Sequence, residues 1–301
     1  MMEPLGPGEV WNAVRTYLTE RFPILSQGIT VLSSYVCSYL LFGQAHGHQV
    51  FRWATVVGGL SAVLLALVRR ITDDVEDLRD DVSTGRASFA DGGRRHLRGL
   101  VAGAVVATVL VGALNATCSV GLLVVGVGVA VWFPVATVIK HLVFRSRTLR
   151  FIVNETCPAA VLVYYYAVWY EVAGAGLPTI TVVAITGLFW TTYQFWNFTR
   201  KVGSEGWPPW EMTMRETRPA LIVLLALAAC FSVLIAHYAH LHLGYLLYGL
   251  VLSLTFAVLI LRWWARLPSR EPQRETAPWG GLPFGIAVEV GVLVGVLLAS
   301  V

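Results

Sequence analysis

Negative charge is concentrated between Asp73 and Asp81, directly after the apolar run 50–68. Six carboxylates occur there within nine residues. Plotted on a helix at about 100° per residue, five of them share an arc of roughly 120°; these are Asp73, Asp74, Asp77, Asp80 and Asp81. Carboxylates on one face repel each other unless cations bind them, and Mg2+ prefers oxygen ligands and bridges to phosphate oxygens. The stretch is therefore a candidate site for a divalent metal at the end of a helix.

Two spacings within this stretch would place three carboxylates on successive helical turns. One is Asp74-x-x-Asp77-x-x-x-Asp81, with Asp73 beside it. The other is Asp73-x-x-x-Asp77-x-x-x-Asp81. A solvated helix end on an unrelated membrane protein is the alternative, and the shared face of the carboxylates argues against it.

The helix that carries these residues belongs to a strongly apolar chain. Of 301 residues, 56% are hydrophobic and 13% charged, whereas about a quarter of the residues in a soluble domain are charged. Solid apolar runs of about 20 residues predict helices that cross a membrane, not an alternating β-barrel. The nine predicted spans are 24–44, 50–68, 99–116, 118–139, 150–172, 178–196, 219–237, 243–263 and 282–300.

Basic residues are distributed asymmetrically between the connections. All of the 22 lysines and arginines except Arg52 precede the first span or flank alternate connections. The positive-inside rule then places the N-terminus and these connections in the cytoplasm. We expect residues 1–23 to form an interfacial segment and residues 24–301 a single transmembrane domain in a bacterial plasma membrane. The net charge of +4 follows from this asymmetry and does not indicate nucleic-acid binding.

Aromatic side chains cluster in two spans. Tyr165 and Tyr166 lie in one span, and Trp190 and Tyr193 lie in the next. Aromatic faces stabilise nearby cations, so these residues could line a pocket that binds a cation. An interfacial aromatic belt is the alternative interpretation.

Three basic residues and one carboxylate are further candidates for chemistry. Lys140, Arg200 and Lys201 follow apolar runs at the predicted cytoplasmic side, where they could bind phosphate or serve membrane topology alone. Glu155 lies near the start of a span and could act as a base or anchor a nearby arginine.

The acidic stretch resembles the first aspartate-rich motif of the UbiA superfamily of intramembrane prenyltransferases, Asn-Asp-x-x-Asp-x-x-x-Asp, with Asp73 in place of the asparagine. Residues 17–23 and 70–77 are also similar to one branch of that superfamily. The resemblance implies that Asp74, Asp77 and Asp81, with Asp73 beside them, bind Mg2+ that holds the diphosphate of an isoprenyl donor.

The second aspartate motif of the superfamily is missing from this chain. The corresponding segment, 197–205, offers Asn197 as an oxygen ligand and Arg200 and Lys201 as cations. We therefore expect either that Asn197 contributes to a metal site or that the Arg-Lys pair meets the diphosphate directly.

The resemblance implies an all-α bundle of nine transmembrane helices around a central cavity open to the cytoplasm. The function that it implies is Mg2+-dependent transfer of an isoprenyl group to a hydrophobic aromatic or lipid acceptor. Two alternatives stay open at this point. One is a terpene cyclase of the same fold, and the other is a membrane protein or transporter without enzymatic activity.

Overall fold

The computed structural model describes most of the chain. The described residues are 17–18, 22, 27–84, 93–142, 146–201, 214–241, 251 and 282–299. Within them, side chains are described except at 77–84, 93–98, 147–148, 198–201, 214–218 and 282–284. The predictions for Asp77, Asp81, Arg200 and Lys201 therefore concern side chains outside this description, as does the predicted span 243–263 apart from Val251.

The described residues form eight helices. They are α1 (Ile29–His46), α2 (Trp53–Thr84), α3 (Gly93–Ala116), α4 (Val120–Leu142), α5 (Arg147–Ala173), α6 (Thr179–Lys201), α7 (Met214–Tyr238) and α8 (Leu282–Ala299). Each occupies one of the predicted spans, so the all-helical class is confirmed. The ninth helix and the central cavity stay predictions.

Five helical segments among the described residues are long and apolar enough to cross a membrane. They are Trp53–Glu76, Gly99–Ala116, Val120–Leu142, Leu149–Ala173 and Pro219–Tyr238. Their outward faces expose large apolar side chains such as Val109, Val120 and Leu142, which suits contact with lipid. These segments indicate that the chain is an integral membrane protein.

Helix α6 differs from these segments because polar residues interrupt its apolar sequence. Thr181, Thr191, Thr192, Gln194 and Asn197 are all buried. Their side chains lower the mean hydropathy of the helix while facing the protein interior. A buried polar face in a membrane protein commonly serves helix packing or a functional site.

The chain divides into two compact units. The first comprises Met1–Tyr35 and Phe51–Glu171. Within it, α2 packs against α3 and α4, and α3 packs against α4. The core of this unit includes the fully buried side chains of Leu65 and Val111.

A hydrogen-bonded cluster ties three helices of the first unit together. The Asn115 side chain of α3 donates from Nδ2 to the Ser61 hydroxyl of α2 at 3.0 Å. Its Oδ1 accepts a hydrogen bond from the Tyr164 hydroxyl of α5 at 2.8 Å. Each of the three side chains is fully buried. Such interhelical hydrogen bonds hold membrane helices together where the hydrophobic effect does not.

The second unit comprises Val36–Val50 and Val172–Val301. In it, α6 packs against α7 and α8. Gly187 of α6 lies directly against the Phe231 ring of α7, where a Cβ atom would come within 2.5 Å of the ring. The absence of a side chain at this glycine lets the two helices approach closely.

Candidate functional site

The candidate site lies in the first unit, at the end of α2. This helix contains the apolar run 50–68 from Trp53 onward, and it continues without a break to Thr84. Residues 73, 77 and 81 therefore occupy positions four residues apart on one continuous helix, which lie on the same side of it. The sequence correctly predicts a helical acidic stretch at the end of a membrane-crossing segment.

Asp74 is buried, and both of its carboxylate oxygens are engaged. Arg70 lies one turn earlier on α2, and its Nη2 approaches Oδ1 at 2.8 Å. The Tyr17 hydroxyl donates a hydrogen bond to Oδ2 at 2.7 Å. The Asp74 side chain is only 7% exposed. It therefore holds neighbouring parts of the protein together and offers little surface to a metal ion.

Apolar packing supports the Tyr17 contact. Tyr17 and Phe22 form a buried cluster with Ile71 of α2 and Leu100 of α3. The Phe22 amide donates a hydrogen bond to the Tyr17 carbonyl at 3.0 Å. This part of the segment before α1 is thus attached to α2 and α3 beside the acidic stretch.

Asp73 has a different environment from Asp74, although the two are adjacent in sequence. Its side chain is 40% exposed, and its Oδ2 lies 4.0 Å from Nε of Arg69. An accessible carboxylate with one distant cation is better suited to bind a metal ion than a buried one in two close contacts. The environments favour the spacing Asp73-x-x-x-Asp77-x-x-x-Asp81 over the spacing that begins at Asp74.

Glu76 connects α2 to two positively charged side chains. Lys140 of α4 donates from Nζ to Glu76 Oε2 at 2.5 Å. Nη2 of Arg150, on α5, lies 4.0 Å from Glu76 Oε1. The side chains of Lys140 and Glu76 are each 11% exposed, and that of Arg150 is 13% exposed. One carboxylate is therefore shared by two cations from two other helices in a largely desolvated environment.

Asn154 extends this network along α5. Lys140 Nζ lies 3.5 Å from Asn154 Oδ1, and Asn154 Nδ2 donates to Glu155 Oε1 at 3.2 Å. Glu155 is buried. The structure thus brings together two residues singled out from the sequence, Lys140 and Glu155, through a third that was not, Asn154.

The sequence patterns did not identify Glu76 or Tyr17 as site residues. Glu76 falls outside the arc that the five aspartates share. That position on the helix was the available signal, because a charge beside the shared arc that faces other helices requires a partner there. Nothing in the sequence alone pairs Tyr17 with Asp74.

The predicted aromatic residues belong to both units. In the first unit, Tyr165 is buried and meets Tyr35 edge to face, with ring centroids 5.3 Å apart, and Tyr166 stacks on Trp169 at 5.9 Å. In the second unit, Trp190 and Tyr193 are half-buried on α6. A pocket role for these four residues stays a prediction.

The predicted metal ligands are only partly described. Asn197 is 5% exposed on α6 of the second unit. No group of three His, Cys, Asp or Glu side chains that could hold a metal ion occurs within the described part of the chain. Asp77 and Asp81 lie outside that part, so the ligand set stays a prediction.

Comparison with solved structures supplies the decisive observation on the fold. The structure of a UbiA homolog from Archaeoglobus fulgidus is similar with a TM-score of 0.55 and 18% sequence identity, over 95% of this chain and 100% of that chain. The structure of a UbiA homolog from the same organism bound to Cd2+ gives a TM-score of 0.54 and 16% identity over the same shares. This chain has the UbiA fold.

The UbiA resemblance of the sequence is therefore confirmed for the fold. Comparisons with protein-family models and with curated protein sequences find no match. The assignment to a UbiA branch with an Arg-Lys element stays a prediction, since it depends on Arg200 and Lys201.

Proposed function

We propose that this UbiA-fold protein transfers an isoprenyl group from a prenyl diphosphate to a hydrophobic aromatic or lipid acceptor within the membrane, in a Mg2+-dependent reaction. One observation carries the proposal. The acidic end of α2, with Asp73 accessible, adjoins the cations Lys140 and Arg150 at the end of a membrane-crossing segment. A site for a metal-bound diphosphate needs both charges beside an apolar region.

The residues at this site fit a divalent metal. Asp73 presents an accessible carboxylate. Positions 77 and 81 carry further carboxylates, one and two turns later on the same side of α2. Asp73, Asp77 and Asp81 would hold Mg2+, with Asn197 as a further oxygen ligand. When bound, Mg2+ supplies positive charge that stabilises a departing diphosphate. A divalent cation is present in the Archaeoglobus fulgidus homolog bound to Cd2+, which supports this assignment.

Basic side chains would balance the remaining charge of the diphosphate. We assign this role to Lys140 and Arg150, together with Arg200 and Lys201. Negative charge grows on the leaving diphosphate as the carbon–oxygen bond breaks, so fixed cations stabilise the transition state more than the ground state.

The rest of the proposed site handles the organic part of the reaction. Tyr165, Tyr166, Trp190 and Tyr193 would surround the allylic cation with aromatic faces and exclude water. Glu155 would accept the proton that the acceptor loses. In this proposal the nine-helix bundle holds these groups around a cavity, with its mouth and the N-terminus on the cytoplasmic side.

The proposed function can be tested with purified protein in lipid nanodiscs. Geranyl, farnesyl and geranylgeranyl diphosphates are each added with Mg2+ or EDTA, with and without an extract that supplies acceptors. We expect pyrophosphate release that requires both Mg2+ and an acceptor, and loss of release in Asp77→Ala. Glu171→Gln, an exposed carboxylate on α5, is the control and should retain activity.

Two outcomes contradict the transferase. Release without an acceptor, with a cyclic hydrocarbon or alcohol as product, would assign a cyclase. No turnover of any prenyl diphosphate would favour a membrane protein or transporter without enzymatic activity.

A further inference from the structure

Two cations from different helices meet at a single carboxylate in the first unit. Lys140 of α4 and Arg150 of α5 both face Glu76, at 2.5 Å and 4.0 Å. The Lys140 contact is a charge-assisted hydrogen bond, while the Arg150 contact is longer and purely electrostatic. Glu76 thus supplies a negative charge between two cations from different helices.

The environment of this group makes the charges strongly interdependent. All three side chains are at most 13% exposed, and removing water from charged groups strengthens their interaction. Without Glu76, two positive charges would remain in this desolvated place, and Lys140 would lose the carboxylate that lies 2.5 Å from its ammonium. An arrangement of Lys and Arg around one anion also matches what a phosphate group requires.

The position of Glu76 on α2 relates it to the proposed metal site. Glu76 follows Asp73 by three residues, and residues three apart are neighbours on a helix surface. The Lys140 ammonium is therefore held at the flank of the acidic surface of α2. Asp73, which would hold the metal in the proposed function, therefore neighbours the residue that binds this ammonium.

We infer that Glu76 is an internal counter-anion, which occupies Lys140 and Arg150 until the diphosphate of the substrate takes its place. This inference deepens the proposed function and rests on it. Glu76 is a positioning residue in this scheme, because it acts on the substrate through Lys140 and Arg150. When the diphosphate is absent, Glu76 compensates the charge of these two desolvated cations and holds their side chains in position.

Asn154 gives Lys140 a second partner during this exchange. Its Oδ1 lies 3.5 Å from Lys140 Nζ, and its own amide is oriented by the hydrogen bond to Glu155. When the ammonium leaves Glu76, the Asn154 carbonyl oxygen still accepts from it. The Lys140 ammonium thus moves from Glu76 to the diphosphate while its hydrogen bond to Asn154 persists.

The inference makes a prediction about anion affinity. If Glu76 competes with the diphosphate, the measured affinity is lowered by the fraction of molecules in which the ion pair is open. Glu76→Gln removes the competing charge while keeping the size of the side chain. An ion pair that is closed in about 90% of molecules predicts that pyrophosphate binds about tenfold more tightly to Glu76→Gln than to the wild type.

The test measures the binding of inorganic pyrophosphate with Mg2+ to the full-length protein in nanodiscs by isothermal titration calorimetry. Lys140→Met should weaken binding at least about tenfold, because it removes a desolvated cation from the anion. Glu171→Gln is the matched control for loss of a carboxylate and should bind as the wild type does. Unchanged or weaker binding by folded Glu76→Gln would overturn the inference and leave Glu76 as a structural ion-pair partner.

A second variant keeps the test decisive if Glu76→Gln does not fold. Glu76→Asp retains the charge but withdraws the carboxylate by one methylene, which weakens its contact with Lys140. Tighter pyrophosphate binding than in the wild type supports the competition, and equal or weaker binding contradicts it.

The two proposals fail in different ways. If the wild type turns over prenyl diphosphates but Glu76→Gln binds pyrophosphate no more tightly, the proposed function stands and the counter-anion role of Glu76 is refuted. If the wild type turns over no prenyl diphosphate but Glu76→Gln binds pyrophosphate more tightly, the counter-anion role stands and the transferase function is refuted.

Discussion

The Tyr17 hydroxyl donates a hydrogen bond of 2.7 Å to Asp74, a residue 57 positions later in the chain. Tyr17 is 8% exposed and Asp74 is 6% exposed, so water does not replace this bond easily. The contact attaches the segment before α1 to α2, and it uses one of the carboxylates that the sequence offers for metal binding. Asp74 therefore links this segment to α2 beside the exposed Asp73.

Tyr17→Phe should destabilise the protein by about 1–3 kcal/mol, because it leaves a buried carboxylate oxygen without its donor. The measurement is thermal unfolding in nanodiscs, followed by tryptophan fluorescence. Combining it with Asp74→Asn in a double-mutant cycle gives the coupling energy of the two residues. Tyr170→Phe, which removes an exposed hydroxyl on α5, is the control. Equal stability of the two single tyrosine variants would refute the anchoring role of Tyr17.

Asp73 and Asp74 should differ in their response to the same substitution. Asp73→Asn should raise the Mg2+ concentration needed for half-maximal pyrophosphate release at least about tenfold, since even indirect partners of metal ligands contribute 10–100-fold to affinity. Asp74→Asn should lower thermal stability and leave the Mg2+ requirement close to that of the wild type. The checks are Mg2+ titrations of activity and unfolding curves on both variants.

The reverse result would restore the other spacing. An Asp74→Asn variant with a strongly raised Mg2+ requirement, beside an Asp73→Asn variant that behaves as the wild type, would make Asp74 a metal ligand and Asp73 a bystander.

The helices of this protein could be predicted because their signal is local. Apolar runs of about 20 residues are the condition for crossing a membrane, and each of the eight described helices occupies such a run. The acidic stretch was also evident, since its carboxylates repeat with the period of the helix that carries them. That helix continues past the apolar segment to Thr84, as the charge pattern required.

The distinction between neighbouring carboxylates could not be predicted, because it depends on distant contacts. Asp73 and Asp74 share the same arc of α2, and periodicity treats them alike. What separates them is Tyr17, which reaches only one of the two. In the same way, the pairing of Glu76 with Lys140 spans 64 positions and follows from how α2 packs against α4.

Asn115→Ala should destabilise the first unit by about 1–2 kcal/mol, the upper part of the range measured for hydrogen bonds between membrane helices. The substitution removes partners from both Ser61 and Tyr164 and leaves a cavity where the amide lay. Unfolding in a graded series of sodium dodecyl sulfate fractions measures the effect. Val109→Ala, at an exposed position on α3, should change stability by less than about 0.5 kcal/mol. An Asn115 variant as stable as the Val109 variant would rule out a structural role for the cluster.

Gly58→Ala should destabilise the protein by about 1–3 kcal/mol, the usual cost of forcing extra atoms into a packed core. A Cβ atom at Gly58 would lie 2.5 Å from the Tyr35 hydroxyl oxygen and 2.6 Å from a Val168 methyl carbon. The Tyr35 ring cannot move away freely, because its hydroxyl donates to the Thr55 carbonyl at 2.8 Å and its edge contacts Tyr165.

Gly128 on α4 provides the matched substitution, since a Cβ atom there meets no atom within 4 Å. Gly128→Ala should be neutral or stabilise by up to about 1 kcal/mol, through the higher helix propensity of alanine. Unfolding curves of the two alanine variants measured side by side separate steric overlap from propensity. If Gly58→Ala were as stable as Gly128→Ala, then α2 would not be held against Tyr35 and Val168 as closely as the structure has it.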